Sequence, residues 1–177
     1  ATNVAALPGI VKASYTMPQA DFEYPDGVRV PVPEGGDYTT GGDALFFYQN
    51  NISYDTNGFA AQAGAVYSGK TSYIERQITL YDAANLVFHW NVSSGNKTFK
   101  VEIFNEGSSK VAEQSISGLD AAAGTWQECV VGLVGAVDGE TYTVRWTYIN
   151  NEATGNNDQT AWLDEVKILL PGNIQSD

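Results

Sequence analysis

Apolar and polar residues alternate along most of the chain, and helical periodicity is nearly absent. The alternating runs lie between turns rich in Gly, Asn, Asp and Ser, which is typical of β-strands. The clearest runs span residues 43–49, 72–80, 85–93, 97–105, 110–117, 126–134, 141–149 and 160–169. Short strands at near-regular spacing predict an all-β fold, specifically a two-sheet antiparallel β-sandwich of the jelly-roll type.

Weaker strand candidates lie near residues 10–15, 21–24 and 28–32. Three segments are predicted to be loops, at residues 33–42, 50–71 and 150–160. The sequence has no internal repeat and no second domain, so we expect one domain over residues 1–177. Long loops on a rigid sandwich are where ligand contacts usually lie.

The phase of each strand separates a core face from a more polar face. In residues 85–93, Phe88 and Trp90 share one face, while His89 and Asn91 share the other. Arg145 lies on the polar face of residues 141–149, and the polar face of residues 97–105 includes one aromatic residue, Phe104. Directional hydrogen-bond donors on a sheet face suit sugar hydroxyls, although an ordinary solvated face would show the same pattern.

The last strand, TAWLDEVKIL, contains a carboxylate in an unexpected phase. Trp162, Val166 and Ile168 share one face, and Asp164 falls in phase with them. The alternation therefore predicts that Asp164 points into the core. A buried carboxylate is costly unless it is hydrogen-bonded, paired or bound to a metal.

Composition narrows the class of ligand. The 177 residues carry a net charge of −12 with only nine Lys and Arg. Nucleic acid and anionic membranes attract basic surfaces, so neither is an expected partner, and a neutral ligand is the simplest expectation. Cys129 is the only cysteine, which excludes an intrachain disulfide, and we predict that it is a buried structural residue.

Sequence motifs for catalysis are absent. The chain has a single histidine, His89, within a strand, and it has no Gly-x-Ser-x-Gly, His-Glu-x-x-His or Cys-x-x-Cys motif. Carboxylates are numerous, but no strand has the spacing of a jelly-roll glycosidase pair. The sequence therefore favours a binding protein over an enzyme.

Tyrosine is abundant, with ten residues, and several tyrosines fall in loops or at strand edges. Aromatic rings stack on the C–H faces of sugars, whereas the alternative for these residues is packing beneath long loops. For Arg145, the alternative is an ion pair with Glu75 or Glu102. We expect all four tryptophans to lie in the core. The predicted ligand-binding residues are Tyr48, Tyr54, Tyr73, His89, Asn91 and Arg145.

Two terminal motifs resemble a known group of modules. The segment ADFEY lies near the start, the strand AWLDEVKI lies near the end, and Thr125-Trp126-Gln127 precedes a strand between them. This order resembles the β-jelly-roll carbohydrate-binding modules of bacterial polysaccharide-degrading enzymes, above all families four, sixteen and twenty-two and their galactose-binding-like relatives. The resemblance covers roughly residues 19–170.

The resemblance implies a structural calcium ion where the terminal segments meet, with Glu23 and Asp164 as ligands. Calcium prefers hard oxygen ligands, as carboxylates provide. For Asp164, the alternatives are capping of backbone N–H groups and pairing with an arginine.

The resemblance also implies a non-catalytic module that binds a polysaccharide or oligosaccharide, as a monomer within a larger secreted bacterial enzyme. Two alternatives stay open. One is a cell-surface adhesion or protein-interaction domain of the same fold, and the other is a jelly-roll lyase or glycosidase.

Overall fold

The computed structural model describes residues 29–55, 58–153 and 158–169. All regular secondary structure in these ranges is β-strand. No helix in this part of the chain is long and apolar enough to cross a membrane. The strands form two antiparallel sheets that enclose one hydrophobic core. The predicted all-β sandwich of jelly-roll type is therefore confirmed. The strand candidates near 10–15 and 21–24 lie outside the described residues.

The described residues form eleven strands, which divide between the two sheets. The six-stranded sheet has the spatial order β1 (Val30–Pro31), β3 (Phe47–Gln49), β4 (Ala60–Gln62), β11 (Ala161–Leu169), β6 (Ala84–Val92) and β9 (Gln127–Leu133). The five-stranded sheet has the order β2 (Tyr38–Gly42), β5 (Thr71–Leu80), β10 (Glu140–Asn150), β7 (Lys97–Phe104) and β8 (Lys110–Ser117). Consecutive strands often lie in different sheets, so neighbours in sequence need not share a surface.

Aromatic side chains from both sheets meet in the core. The rings of Phe88 on β6 and Trp146 on β10 pack edge to face, with centroids 5.5 Å apart. Trp90 and Phe99 lie at the same centroid distance. Burying a large aromatic side chain contributes roughly 1.5–3 kcal/mol, so these contacts hold the two sheets together.

Two strands lie in segments that the sequence predicts to be loops. β2 reads YTTGG and has only one large apolar residue, so it shows no clear alternation. β4 reads AAQ and is buried on both faces, which removes the polar half of the pattern. A strand that lacks alternation resembles a loop in sequence, and this explains both omissions.

A β-bulge in β11 changes the phase of the last strand. Asp164 pairs with His89, but the next paired residue is Lys167, opposite Val87. Glu165, between them, has a positive φ of 55°. The extra residue places Trp162 and Asp164 on the outer face of the six-stranded sheet, while Leu163 and Val166 face the core. The predictions of a core-facing Asp164 and a core Trp162 are therefore wrong. The prediction of a core Trp126 is also wrong, because its side chain, just before β9, is partly exposed.

Tyr48 belongs to the hydrophobic core. Its side chain on β3 is 2% exposed, because Tyr48 pairs with Ala61 and faces inward. A ligand on the surface cannot contact it, so its prediction as a binding residue is wrong. Cys129 is buried, as predicted.

Candidate functional site

Two of the predicted ligand residues come together on the outer face of the five-stranded sheet. Tyr73 on β5 and Arg145 on β10 lie next to Glu75 and Phe104, and we call these four residues the Arg145 face. All four side chains point away from the core because they alternate with buried residues along their strands.

Tyr73 lies across the neighbouring strand β2 because that strand has a glycine opposite it. Gly41 pairs directly with Tyr73. A Cβ atom on Gly41 would lie 2.5 Å from Cζ of Tyr73, which is far too close for two carbon atoms. The missing side chain at Gly41 therefore creates the space in which the tyrosine ring rests.

Arg145 is held from three sides. Its Nε donates a hydrogen bond to Oε1 of Glu75 at 2.6 Å. Its guanidinium carbon lies 4.7 Å from the centroid of the Tyr73 ring and 5.9 Å from that of Phe104. The guanidinium is therefore fixed by one carboxylate and two aromatic rings.

The terminal nitrogens of Arg145 make no hydrogen bond to the described residues. The side chain is 38% exposed, so these nitrogens can reach a ligand. Of the two ion pairs considered for Arg145, the pair with Glu75 is present, whereas Glu102 accepts a hydrogen bond from Lys110 at 3.0 Å. Pairing through Nε leaves the outer edge of the guanidinium free for two adjacent acceptors.

The other predicted ligand residues lie on the opposite side of the sandwich. His89 and Asn91 point outward from β6, in the six-stranded sheet. Tyr54, in the loop after β3, stacks on His89 with ring centroids 3.7 Å apart. Burial lowers the pKa of His89 below 6.5, and the nearby Glu128 only partly opposes this effect. The structure thus divides the predicted set between two separate surfaces.

Asp164 anchors the loop after β3 to the six-stranded sheet. Its Oδ2 accepts a hydrogen bond from the Tyr54 N–H and its Oδ1 from the Glu165 N–H, both at 2.8 Å. Burial, together with the charges of Glu165 and Asp55, raises the pKa of Asp164 to about 6. Asp164 thus caps backbone N–H groups, which was one of its alternative roles.

The described residues do not form a metal site on their own. Within them, no group of three or more His, Cys, Asp or Glu side chains is arranged to hold an ion. Glu23, the second predicted calcium ligand, lies outside the described residues. Calcium at Asp164 stays a prediction.

Phe104 and Glu75 were not among the predicted ligand residues. The sequence did contain an indication for Phe104. An aromatic residue on the polar face of a strand is expected to be exposed rather than packed in the core, and exposed aromatic residues often mark a binding surface. For Glu75, the sequence indicates only an alternative role as an ion-pair partner of Arg145.

Comparisons with known proteins show a likeness in structure alone. No protein-family model and no curated protein matches the chain. The solved structure of TmCBM61 in complex with β-1,4-galactotriose superposes with a TM-score of 0.54 at 8% identity, over 75% of this chain and 87% of that one. The CBM22-1–GH10 modules of Clostridium thermocellum xylanase 10B, complexed with xylohexaose, give 0.52 at 13% identity, over 77% of this chain and 26% of that one.

These identities are too low to carry over residue roles, but the shared fold is clear. The chain has the jelly-roll fold of carbohydrate-binding modules, and the resemblance read from the sequence is confirmed at that level.

Proposed function

We propose that the protein is a non-catalytic carbohydrate-binding module and that a neutral glycan binds on the Arg145 face. The observation that supports this proposal is the oriented guanidinium of Arg145. It is held by Glu75 and by the Tyr73 ring, and its terminal nitrogens bond none of the residues that the structure describes. The two terminal nitrogens of such a guanidinium form a planar fork of N–H donors. This fork can donate to two neighbouring hydroxyl groups, as on a sugar ring.

The aromatic residues of the Arg145 face supply the apolar part of the contact. Tyr73 and Phe104 are both partly exposed and flank Arg145. The C–H edge of a sugar ring packs on aromatic surfaces while its hydroxyls reach nearby donors. The protein's net charge of −12 disfavours an acidic glycan, which leaves neutral glycans as the expected class.

The module would act by keeping its parent enzyme close to a glycan. Linked binding raises the effective concentration of a catalytic domain at its substrate without any chemistry in the module itself. We propose that the parent is a secreted bacterial polysaccharide-degrading enzyme and that the module is monomeric within it. Calcium, held by Asp164 and Glu23, would be structural and would take no part in binding the glycan.

Isothermal titration against a panel of neutral glycans, including xylohexaose and β-1,4-galactotriose, tests the proposal. Arg145→Lys keeps the charge but loses the fork, so the dissociation constant should rise about tenfold, as expected for about 1.4 kcal/mol. Arg29→Lys is the matched control. Arg29 also pairs with a carboxylate, Asp158, and also lies over an aromatic ring, Phe47, but it lies beside the six-stranded sheet.

The alternatives predict other results. A protein-interaction domain would bind no glycan of the panel. A lyase or glycosidase would release unsaturated or reducing sugars from a polysaccharide, and this release would contradict a non-catalytic module.

A further inference from the structure

A cleft opens on the six-stranded sheet, on the opposite side of the sandwich from the Arg145 face. Its volume is about 550 Å³, within the range of small-molecule sites. Its lining includes Ile52, Asn91, Ser94, Trp126, Gln159 and Trp162. We call it the Trp126 cleft, and we infer that it is a second binding site, which takes a short neutral saccharide independently of the Arg145 face.

The walls of the Trp126 cleft are fixed by hydrogen bonds. The buried ammonium group of Lys97 donates to Oγ of Ser93 at 2.9 Å and to the carbonyl oxygen of Gln159 at 2.6 Å. Ser93 N–H also donates to the Thr160 carbonyl at 3.0 Å. These bonds join the turn after β6 to the segment before β11, so the cleft exists before a ligand arrives.

The remaining wall is anchored in the same way. Oε1 of Gln49 accepts a hydrogen bond from the Ile52 N–H at 2.9 Å, and Nε2 of Gln49 donates to the Ile52 carbonyl at 2.7 Å. Asp164 holds Tyr54, two residues further along the same loop. The loop after β3 is therefore a fixed wall of the cleft.

Two side chains of the cleft have polar atoms without a hydrogen-bond partner among the described residues. They are Oδ1 of Asn91 and Nε1 of Trp162, on side chains that are 5% and 3% exposed. The two residues pair directly across β6 and β11. Both atoms have almost no solvent-accessible surface, so they lie just beneath the floor of the cleft. A small shift of the two side chains would present an adjacent donor and acceptor, which match a hydroxyl group.

The lining also decides the class of ligand. None of the lining residues carries a charged side chain. The Lys97 ammonium behind the wall is buried and already donates to Ser93 and Gln159, so the cleft exposes no charge to an ionic ligand. Trp126 is partly exposed, and its ring meets that of Tyr54 edge to face at 6.2 Å. An aromatic ring beside amide and hydroxyl groups fits a neutral sugar, with C–H groups against the ring and hydroxyls toward the amides. The ligand class rests on the proposed function, whereas the existence of the cleft does not.

Titration with gluco-, galacto-, manno- and xylo-oligosaccharides of three to six units separates the two sites. The proteins are the full chain, Tyr73→Ala, Trp126→Ala and the double variant. We expect at least one oligosaccharide to bind Tyr73→Ala as tightly as it binds the unmodified chain. Trp126→Ala should weaken that binding at least tenfold, while Trp126→Phe should retain most of it.

A blocking variant keeps the test valid if Trp126→Ala does not fold. Ser94 is exposed in the turn after β6, so Ser94→Tyr fills the cleft without disturbing the core and should abolish the same binding. The inference is overturned if every bound oligosaccharide loses affinity in Tyr73→Ala while Trp126→Ala and Ser94→Tyr bind normally, a result that leaves the proposed function intact. Binding that Trp126→Ala alone removes overturns the role of the Arg145 face instead, and no binding at all overturns both.

Discussion

Gly41→Ala displaces the Tyr73 ring without removing it. The new Cβ would lie 2.5 Å from Cζ and 2.9 Å from Cε2 of Tyr73. Carbon atoms in contact prefer about 3.5–4.0 Å, so the ring has to move outward by about 1 Å. The backbone of Gly41 does not have a positive φ, so alanine fits the main chain and only the side-chain contact is lost.

The displacement should weaken glycan binding and leave stability almost unchanged. The contact between Arg145 and the Tyr73 ring, at 4.7 Å, is worth about 0.5–1 kcal/mol at a partly exposed site. Losing it, together with the aligned ring, should raise the dissociation constant about three- to tenfold. In the unfolded chain, alanine has less conformational freedom than glycine, which offsets the strain by about 0.5–1 kcal/mol.

Isothermal titration and thermal unfolding measure the two effects separately. Gly132→Ala is the matched control, because Gly132 also lies in a strand with ordinary φ, and its new Cβ would meet Asn85 Oδ1 at an unstrained 3.8 Å. If Gly41→Ala and Gly132→Ala bind the glycan equally well, the position of the Tyr73 ring does not matter and the reasoning is refuted.

Three further predictions concern charge and metal. Glu75→Gln removes the charged partner of Arg145, so binding should weaken about three- to fivefold by titration, and an unchanged affinity would show that the pair does not orient the guanidinium. Burial raises the pKa of Asp164 from 3.8 to about 6, so without metal its contribution to stability is full below about pH 4 and is lost as the pH rises through 6. In urea denaturation with EDTA, Asp164→Asn should therefore gain stability relative to the unmodified chain by up to about 3 kcal/mol from pH 4 to 7, and a constant difference would contradict the shift. If calcium binds at Asp164 and Glu23, EDTA should lower the melting temperature, whereas an unchanged melting temperature and no metal by elemental analysis would exclude it.

Local alternation was sufficient to predict the fold class and the longest strands. In β5, β7 and β10, buried and more exposed residues alternate almost without interruption. Each of these strands has one face in the core and one toward solvent, so its pattern follows directly from burial. β2 and β4 do not show this alternation of buried and exposed residues, so their sequences did not indicate strands.

The site was harder to predict because alternation does not tell which sheet a strand joins. His89 on β6 and Arg145 on β10 have the same local setting, a polar residue between two core residues. Only the strand order places them on opposite sides of the sandwich. Tyr48 shows a second reason why the site was hard to predict. An aromatic residue in a short strand beside a loop can lie either in the core or at the edge of a binding surface, and its sequence does not distinguish the two.

The sequence also did not predict which residues of β11 face the core. A bulge adds one residue, so the positions before it and after it fall on opposite faces, and here it occurs at Glu165, a residue type that rarely adopts a positive φ. In an unbroken strand, Asp164 would share the core-facing side of Val166 and Ile168. With the bulge, Asp164 instead anchors the loop that forms one wall of the Trp126 cleft.

The most direct test of the central claim is the affinity of Tyr73→Ala for a neutral glycan that the unmodified protein binds. Tyr73 is partly exposed, so its removal should leave the fold intact while it removes both the ring and the support of Arg145. If the glycan occupies the Arg145 face, isothermal titration should show at least a tenfold weaker dissociation constant with an unchanged melting temperature. If every glycan that the protein binds is held equally well by Tyr73→Ala, the Arg145 face is not the binding site.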